Sequence, residues 1–383
     1  MSYNLDMNFD SLKDISIVIP SYERPEYLER SLNYWNEFYI KVIVLDGSSE
    51  PLNRNFLSGL NSQIEYHHLP VSFEERLQIG MNLVTTNYVA MLGDDEYFLI
   101  QGLLACKDEL EKNNKLVSCT GICWEFYTQN ESIVMNERYV NWLEFCSISD
   151  EDPIARIHTY SRNSMSAICY SLVRSSSWRK ATNVIVTNPN GVTFLTEIFI
   201  ELSVAFEGNT KVIDVPFWLR SAEIISHWEN NSTVSIEKWL HDPKYKDQRQ
   251  QYLNTFAEVL GGNSTSNSIL KSEVFKALKL LSFRVSGVQN SSLSRFPILA
   301  GIISRLFYSI PAHAQRQRVF IRWIGHGKKL IKSHATSDYR GLKKGERLVL
   351  DMQNELPIEE IFGQAVDSSF KSFKKSVENF YGY

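Results

Sequence analysis

Short apolar runs alternate with amphipathic segments through the first hundred residues. Ile15-Ser16-Ile17-Val18-Ile19 is a β-branched run that stops at Pro20 and reads as a strand. Residues 25–38 place Tyr27, Leu28, Leu32 and Trp35 on one side, the pattern of an amphipathic helix with Pro25 in its first turn. A second apolar strand is expected over 40–45, closed by the turn residues Asp46-Gly47-Ser48-Ser49. A weaker strand follows at 63–67, a helix at 73–84, a buried strand at 88–92 and another helix at 99–110. Near-continuous apolar strands separated by helices predict a parallel sheet covered on both faces. Ligands of such sheets bind beyond the carboxyl ends of the strands, and here the polar clusters at Pro20, Asp46 and Asp94-Asp95 fall at those ends.

Beyond residue 110 the pattern is mixed. Strands are expected at 117–126, 167–173 and 211–219, with a helix at 193–206. After Trp228 the strand signals fade, and helices at 252–260, 269–285, 298–308 and 316–331 dominate. This divides the chain into units at 1–110 and 111–230, followed by a helical C-terminal domain at 231–383.

Composition narrows the class. The 383 residues are 43% hydrophobic and 22% charged, enough to bury a core without disulfides. Five cysteines (Cys106, Cys119, Cys123, Cys146 and Cys169) include no C-x-x-C pair and read as buried free thiols in a reducing compartment. The acidic, polar start lacks the pattern of a secretory signal, and no apolar run reaches the roughly 18–20 residues that span a bilayer. A cytoplasmic protein is expected. The net charge of −4 hides an asymmetry: no Asp or Glu occurs from Val274 to Ser337, a stretch rich in Lys and Arg. Two readings of residues 274–337 stand side by side. One is an amphipathic basic segment lying on an anionic inner membrane face, the other a helical cap with solvated charges. Nucleic-acid binding is not expected, because no recognition module accompanies the charge.

The chemistry concentrates in Gly93-Asp94-Asp95-Glu96. Three successive acids at the end of an apolar strand repel one another and call for a cation. Carboxylates suit Mg²⁺ or Mn²⁺, which can bridge to a diphosphate. The plainer alternative is an acidic turn leading into a helix.

Three stretches together resemble family-2-type glycosyltransferases with the GT-A fold. They are the opening from Ile15 through Pro20-Ser21-Tyr22-Glu23-Arg24-Pro25 to Leu28, then Val42-Ile43-Val44-Leu45-Asp46-Gly47-Ser48-Ser49, and the run from Tyr88 to Phe98. Order and spacing match over the first 110 residues and more loosely to 230. The resemblance implies an α/β GT-A architecture, a Rossmann-like doubly wound, mostly parallel sheet, here followed by helices. It implies a nucleotide-sugar donor and a glycan or lipid-linked glycan acceptor, with inverting, metal-dependent transfer in bacterial surface polysaccharide synthesis.

Carried onto this chain, the resemblance puts Pro20, Ser21 and Glu23 around the base and ribose, Asp46 on the base and Asp94 near the ribose. Asp95 would bind the metal, with Glu96 replacing or assisting it, since Gly93 and Glu96 depart from the usual D-x-D-D pattern. Arg76 would face the diphosphate or be a solvated surface charge. Glu197, amid apolar neighbours, would be the base that deprotonates the acceptor, with Glu201 one turn later as its rival. His227 would be a third metal ligand or a structural histidine. Two other classes fit the same features: a Mg²⁺-dependent nucleotidyltransferase and a catalytically silent scaffold. The first lacks a Gly-rich phosphate loop with a lysine in the first strand–turn.

Overall fold

β1 (Ile15–Ser21) shows why its run is apolar throughout: Ile15, Ile17 and Ile19 enter one core while Val18 enters the other. A strand buried on both faces has no polar side to alternate with. The computed structural model describes residues 9–129, 132–138, 147–163, 167–186, 193–223, 234–262, 267–289, 347–351 and 368–382.

After β1 come α1 (Pro25–Trp35), β2 (Lys41–Asp46), α2 (Arg54–Ser58), β3 (Ile64–His68), α3 (Phe73–Leu83) and β4 (Tyr88–Met91). The order β4-β1-β2-β3 is parallel throughout, so these strands end on one rim. Then follow β5 (Tyr97–Phe98), α4 (Ile100–Lys112), β6 (Leu116–Gln129), β7 (Ser132–Arg138), α5 (Pro153–Asn163), β8 (Leu172–Arg174), α6 (Ser175–Asn183), α7 (Thr193–Glu207) and β9 (Asn209–Ser221). The last described elements are α8 (Ile236–His241), α9 (Lys246–Gly261), α10 (Asn267–Gln289), β10 (Arg347–Asp351) and α11 (Ser368–Tyr381).

The sheet runs β10-β7-β6-β8-β4-β1-β2-β3, and β9 lies parallel to β6 and antiparallel to β5. The expected doubly wound α/β sheet is present. Its parallel character holds from β4 to β3, and beyond β4 the antiparallel strands β8, β7 and β10 make it mixed. β6 approaches β9 so closely that a Cβ on Gly121 would sit 2.2 Å from the Val215 carbonyl oxygen, a position only glycine can take.

Side chains of α1, α4 and α11 pack in the core on one face, and those of α3, α5, α6, α7, α8, α9 and α10 in the core on the other. The C-terminal segments therefore serve both faces: α9 and α10 lean on α6, α7 and α5, whereas α11 returns to α1. Helix α3 is entered through a capping box in which Ser72 and Glu75 bond reciprocally. The strand expected at 167–173 shrinks to Leu172–Arg174, and the helix expected from residue 252 begins at Lys246. The helices expected at 298–308 and 316–331, with most of the basic stretch, lie outside the described residues. Cys106, Cys119, Cys123 and Cys169 are buried free thiols, while Cys146 is also outside. Among the described residues no helix is long and apolar enough to cross a membrane.

Candidate functional site

The rim where β1, β2 and β4 end gathers Pro20, Ser21, Glu23, Asp46, Asp94 and Asp95, all singled out in the sequence. Ser21 closes β1, and its hydroxyl donates to Asp94 Oδ2 at 2.7 Å. Next in the loop, Glu23 takes a left-handed backbone at φ 54°, which costs a residue with a Cβ about 1–3 kcal/mol. The turn after β2 holds it there. Glu23 N–H donates to Ser48 Oγ and Ser49 N–H donates to Glu23 Oε1, both at 2.8 Å.

The bend carries Arg24 onto the acidic turn. One guanidinium nitrogen lies 3.0 Å from Asp94 Oδ1 and 2.5 Å from Asp95 Oδ2. Burial pushes the Asp94 carboxyl up to about 6, with Arg24 pulling against it and Asp95 adding to it. Arg24 was not among the predicted site residues. The signal that points to it is a lone guanidinium four residues beyond Pro20, in a loop leading toward three acids.

Asp46 is buried at the end of β2, and its carboxylate is already occupied. Oδ1 accepts from Ser48 N–H at 2.9 Å and from the Ser48 hydroxyl at 2.6 Å, and Oδ2 accepts from the Tyr66 hydroxyl at 2.6 Å. Three of roughly four acceptor positions on a carboxylate are thereby used. His68 Nε2 meets the Ser48 carbonyl at 2.8 Å and so carries the proton. The turn is a built, rigid edge rather than a loose loop.

Arg76 is not a solvated surface charge. It is buried, its Nη1 donating to the Ser21 carbonyl and, at 2.9 Å, to the Leu45 carbonyl. Gly47 lies directly over it: a Cβ there would come within 2.6 Å of the guanidinium carbon. The helix α3 that carries Arg76 thus buttresses the ends of β1 and β2 from below. Burial lowers its pKa, and the nearby acids Asp46, Glu74 and Asp94 raise it again.

Glu96 turns away from its two acidic neighbours. Its Oε2 accepts from Trp218 Nε1 at 2.9 Å, and Arg220 Nε stands 3.8 Å from Oε1. Burial, then the Asp95 charge, push Glu96 up to about 8, against Arg220 and the Trp218 hydrogen bond. Tyr170 stacks on Trp218, with ring centroids 4.6 Å apart and planes within 10°. The Tyr170 hydroxyl donates to Glu197 Oε1 at 3.3 Å, linking α7 to the acidic turn through two aromatic rings. Neither ring was singled out in the sequence, because nothing local marks a Tyr and a Trp far apart in the chain as neighbours. Glu197 is half-buried, and its carboxyl is raised by burial, with Tyr170 and Arg220 pulling it down.

Glu201 has a different setting. It is fully buried, accepting from the Tyr160 hydroxyl and, at 3.1 Å, from the Cys169 amide. Burial pushes it up to about 7. A carboxyl raised above its unfolded value costs nothing below the unfolded pKa of about 4.3, and the penalty is complete once pH passes the folded value. Glu201→Gln should therefore be more stable than the parent at pH 8, by about 3 kcal/mol, and the advantage should fade by pH 4. Thermal melts across pH 4–8 test this, and a difference that does not change with pH would contradict it.

Among the described residues, no group of three His, Cys, Asp or Glu side chains forms a metal site. His227 lies outside the described residues. Asp94 and Asp95 nevertheless converge on one positive centre, the Arg24 nitrogen.

Comparison with known proteins adds the following. The Glycosyl transferase family 2 model matches residues 16–159, which run from β1 into α5. No curated protein matches the sequence. Among solved structures, residues 1–349 of S. aureus TarS align at 10% identity, covering 72% of this chain and 92% of that one, with a TM-score of 0.40. The same fragment in complex with UDP-GlcNAc aligns at 10% identity over 72% and 92%, with a TM-score of 0.41. The longer S. aureus TarS structure aligns at 8% identity, covering 70% of this chain and 54% of that one, with a TM-score of 0.40. The segment that matches the glycosyl transferase family 2 model, residues 16–159, is the one that carries the parallel strands and the acidic turn.

Proposed function

We propose that the protein transfers a sugar from a nucleotide-diphosphate sugar to a glycan or lipid-linked glycan acceptor, with inversion and with the help of Mg²⁺ or Mn²⁺. The observation that carries this reading is the convergence of Asp94 and Asp95 on one positive centre at the rim where three parallel strands end.

The donor set fits a hard divalent cation. Such ions take one or two carboxylates and fill the remaining positions with water and substrate phosphates. Asp95, the more exposed of the two acids, would hold it, with Asp94 beside it and Arg24 sharing their charge. A cation bound there supplies neutralisation of the leaving diphosphate. Pro20, Ser21 and Glu23 would line the nucleoside, and the rigid Asp46 turn would form the far wall. Asp46 has room to accept one further N–H from the base.

Arg76 would act on the diphosphate only from beneath, since its Nη1 is spent on the Ser21 and Leu45 carbonyls. Glu197 serves as the base. Its half-buried carboxylate takes the proton of the acceptor hydroxyl as that oxygen attacks the anomeric carbon, and the bond to the diphosphate breaks on the opposite side. Burial that raises its pKa makes it a stronger acceptor of that proton. Glu201 is unsuited to the role, because both its oxygens are engaged in the interior.

A screen of UDP-, GDP-, CMP- and dTDP-sugars for Mn²⁺-dependent thermal stabilisation tests the reading. At 100 times its dissociation constant the right donor should add about 2.7 kcal/mol. Absence of stabilisation by every donor would remove the proposal.

A further inference from the structure

The acidic turn is also gripped from behind, by groups with no part in the chemistry above. Arg30 lies on α1 with a side chain 0% exposed, and its Nη1 meets Glu223 Oε2 at 2.6 Å. Its Nη2 donates to the backbone carbonyl of Asp95 at 3.2 Å. The rings of Tyr27, Tyr97, Phe126 and Phe380 surround the guanidinium carbon at 5.0, 5.8, 5.9 and 4.8 Å. Glu223, just past β9, is 2% exposed at its side chain and receives a hydrogen bond from the Tyr381 hydroxyl at 3.0 Å.

Tyr381 is the last residue of α11, and the same helix donates from Ser376 Oγ to the Arg30 carbonyl at 2.8 Å. Phe373 of α11 packs edge-on against Tyr97 at 5.1 Å and Phe126 at 4.9 Å, closing the pair off from water.

A buried ion pair is a poor device for stability, because the cost of desolvating both charges rivals their attraction and apolar packing would serve as well. What this pair has is reach. One end holds the peptide between Asp95 and Glu96, and the other is held by a helix from the far end of the chain. A hydrogen bond on that carbonyl restrains rotation of the Asp95 backbone, and so the direction in which the attached carboxylate points.

We propose that α11 is a working part of the donor site: through Tyr381, Glu223 and Arg30 it sets the orientation of the Asp94-Asp95 turn. Arg30 and Glu223 are positioning residues, and Tyr381 is the latch that keeps them in place. The inference rests on the donor-site reading for its consequence, while its mechanical content can be measured without a donor.

The test is amide hydrogen exchange on the full chain, comparing the parent with Tyr381→Phe and Glu223→Gln. The Glu96 amide, bonded to the Gly93 carbonyl at 3.3 Å, reports directly on the turn. It should exchange at least about tenfold faster in both variants, while amides of β2 and β3 keep their protection. With Mn²⁺ and a donor that stabilises the parent, the donor dissociation constant of Tyr381→Phe should rise by about fivefold or more, with the donor-free melting temperature little changed. Glu223→Gln leaves Arg30 without its charge partner and is the more disruptive change, so Tyr381→Phe decides if it fails to fold. Unchanged exchange at the turn overturns the inference, as does a loss of protection spread evenly over the sheet. If no donor binds the parent, the donor reading falls, and the exchange result still settles whether α11 holds the turn.

Discussion

Replacing Glu197 with Gln should cut sugar transfer by about 10²–10⁴-fold and leave donor binding intact. The amide keeps the shape of the side chain and an oxygen for the Tyr170 hydroxyl, which lies 3.3 Å from Glu197 Oε1. What it loses is the ability to take a proton. An acceptor hydroxyl that must shed its proton as it attacks then has no partner within reach, because Glu96 is turned toward Trp218 and Glu201 is sealed in the interior. The measurement is a pair: initial rates of transfer, and Mn²⁺-dependent stabilisation by the donor. A variant that turns over at the parental rate eliminates Glu197 as the base. One that loses donor stabilisation as well shows instead that Glu197 shapes the donor pocket.

Replacing Asp95 with Asn should abolish the dependence of donor stabilisation on Mn²⁺ and lower turnover by about 10²-fold or more. That corresponds to the several kcal/mol that Lewis-acid neutralisation of a leaving group supplies. Asn is the same size as Asp and can still face Arg24, but it offers a neutral oxygen to both the guanidinium and any divalent ion. Asp94 would then carry the charge of the pair alone, and its carboxyl, freed of a like-charged neighbour, should ionise more readily. The donor-free melting temperature should move little, since Asp95 sits at the rim and not in the core. Metal-dependent donor stabilisation of parental size in Asp95→Asn would show that the cation is held elsewhere.

The parallel half of the fold is legible in the sequence because its physics is local. Strands covered on both faces leave unbroken apolar runs, and they end near the polar turns the sequence marks: β1 runs through Pro20 to Ser21, β2 stops at the Asp46-Gly47 turn and β4 just before Gly93-Asp94. β1, β2 and β4 accordingly lie within a residue or two of where the pattern puts them. Other elements leave weaker traces. β5 has two residues, too few for any period, and exists because it pairs with β9. β7, α5 and α6 are short, and which face of the sheet each helix covers is settled only by packing. α11 does have a readable stripe, Phe370, Phe373 and Val377, at the spacing of one helix face. A short amphipathic segment of that kind gives no indication of which surface it covers.

The site divides along the same line. The sequence by itself determines that acids collect at the end of an apolar strand, that a serine and a glutamate follow the first strand, and that another acid sits among apolar neighbours on a later helix. Those are statements about residue types next to one another in the chain. Which charge meets which is decided only by the tertiary structure. The left-handed turn at Glu23 aims Arg24 at Asp94 and Asp95, the crossing of β9 draws Glu96 to Trp218 and Arg220, and the seating of α3 buries Arg76 beneath the rim. The reason is that the energy of a charge depends on distance and on how far water is excluded, and neither quantity exists until strands and helices distant in sequence have packed.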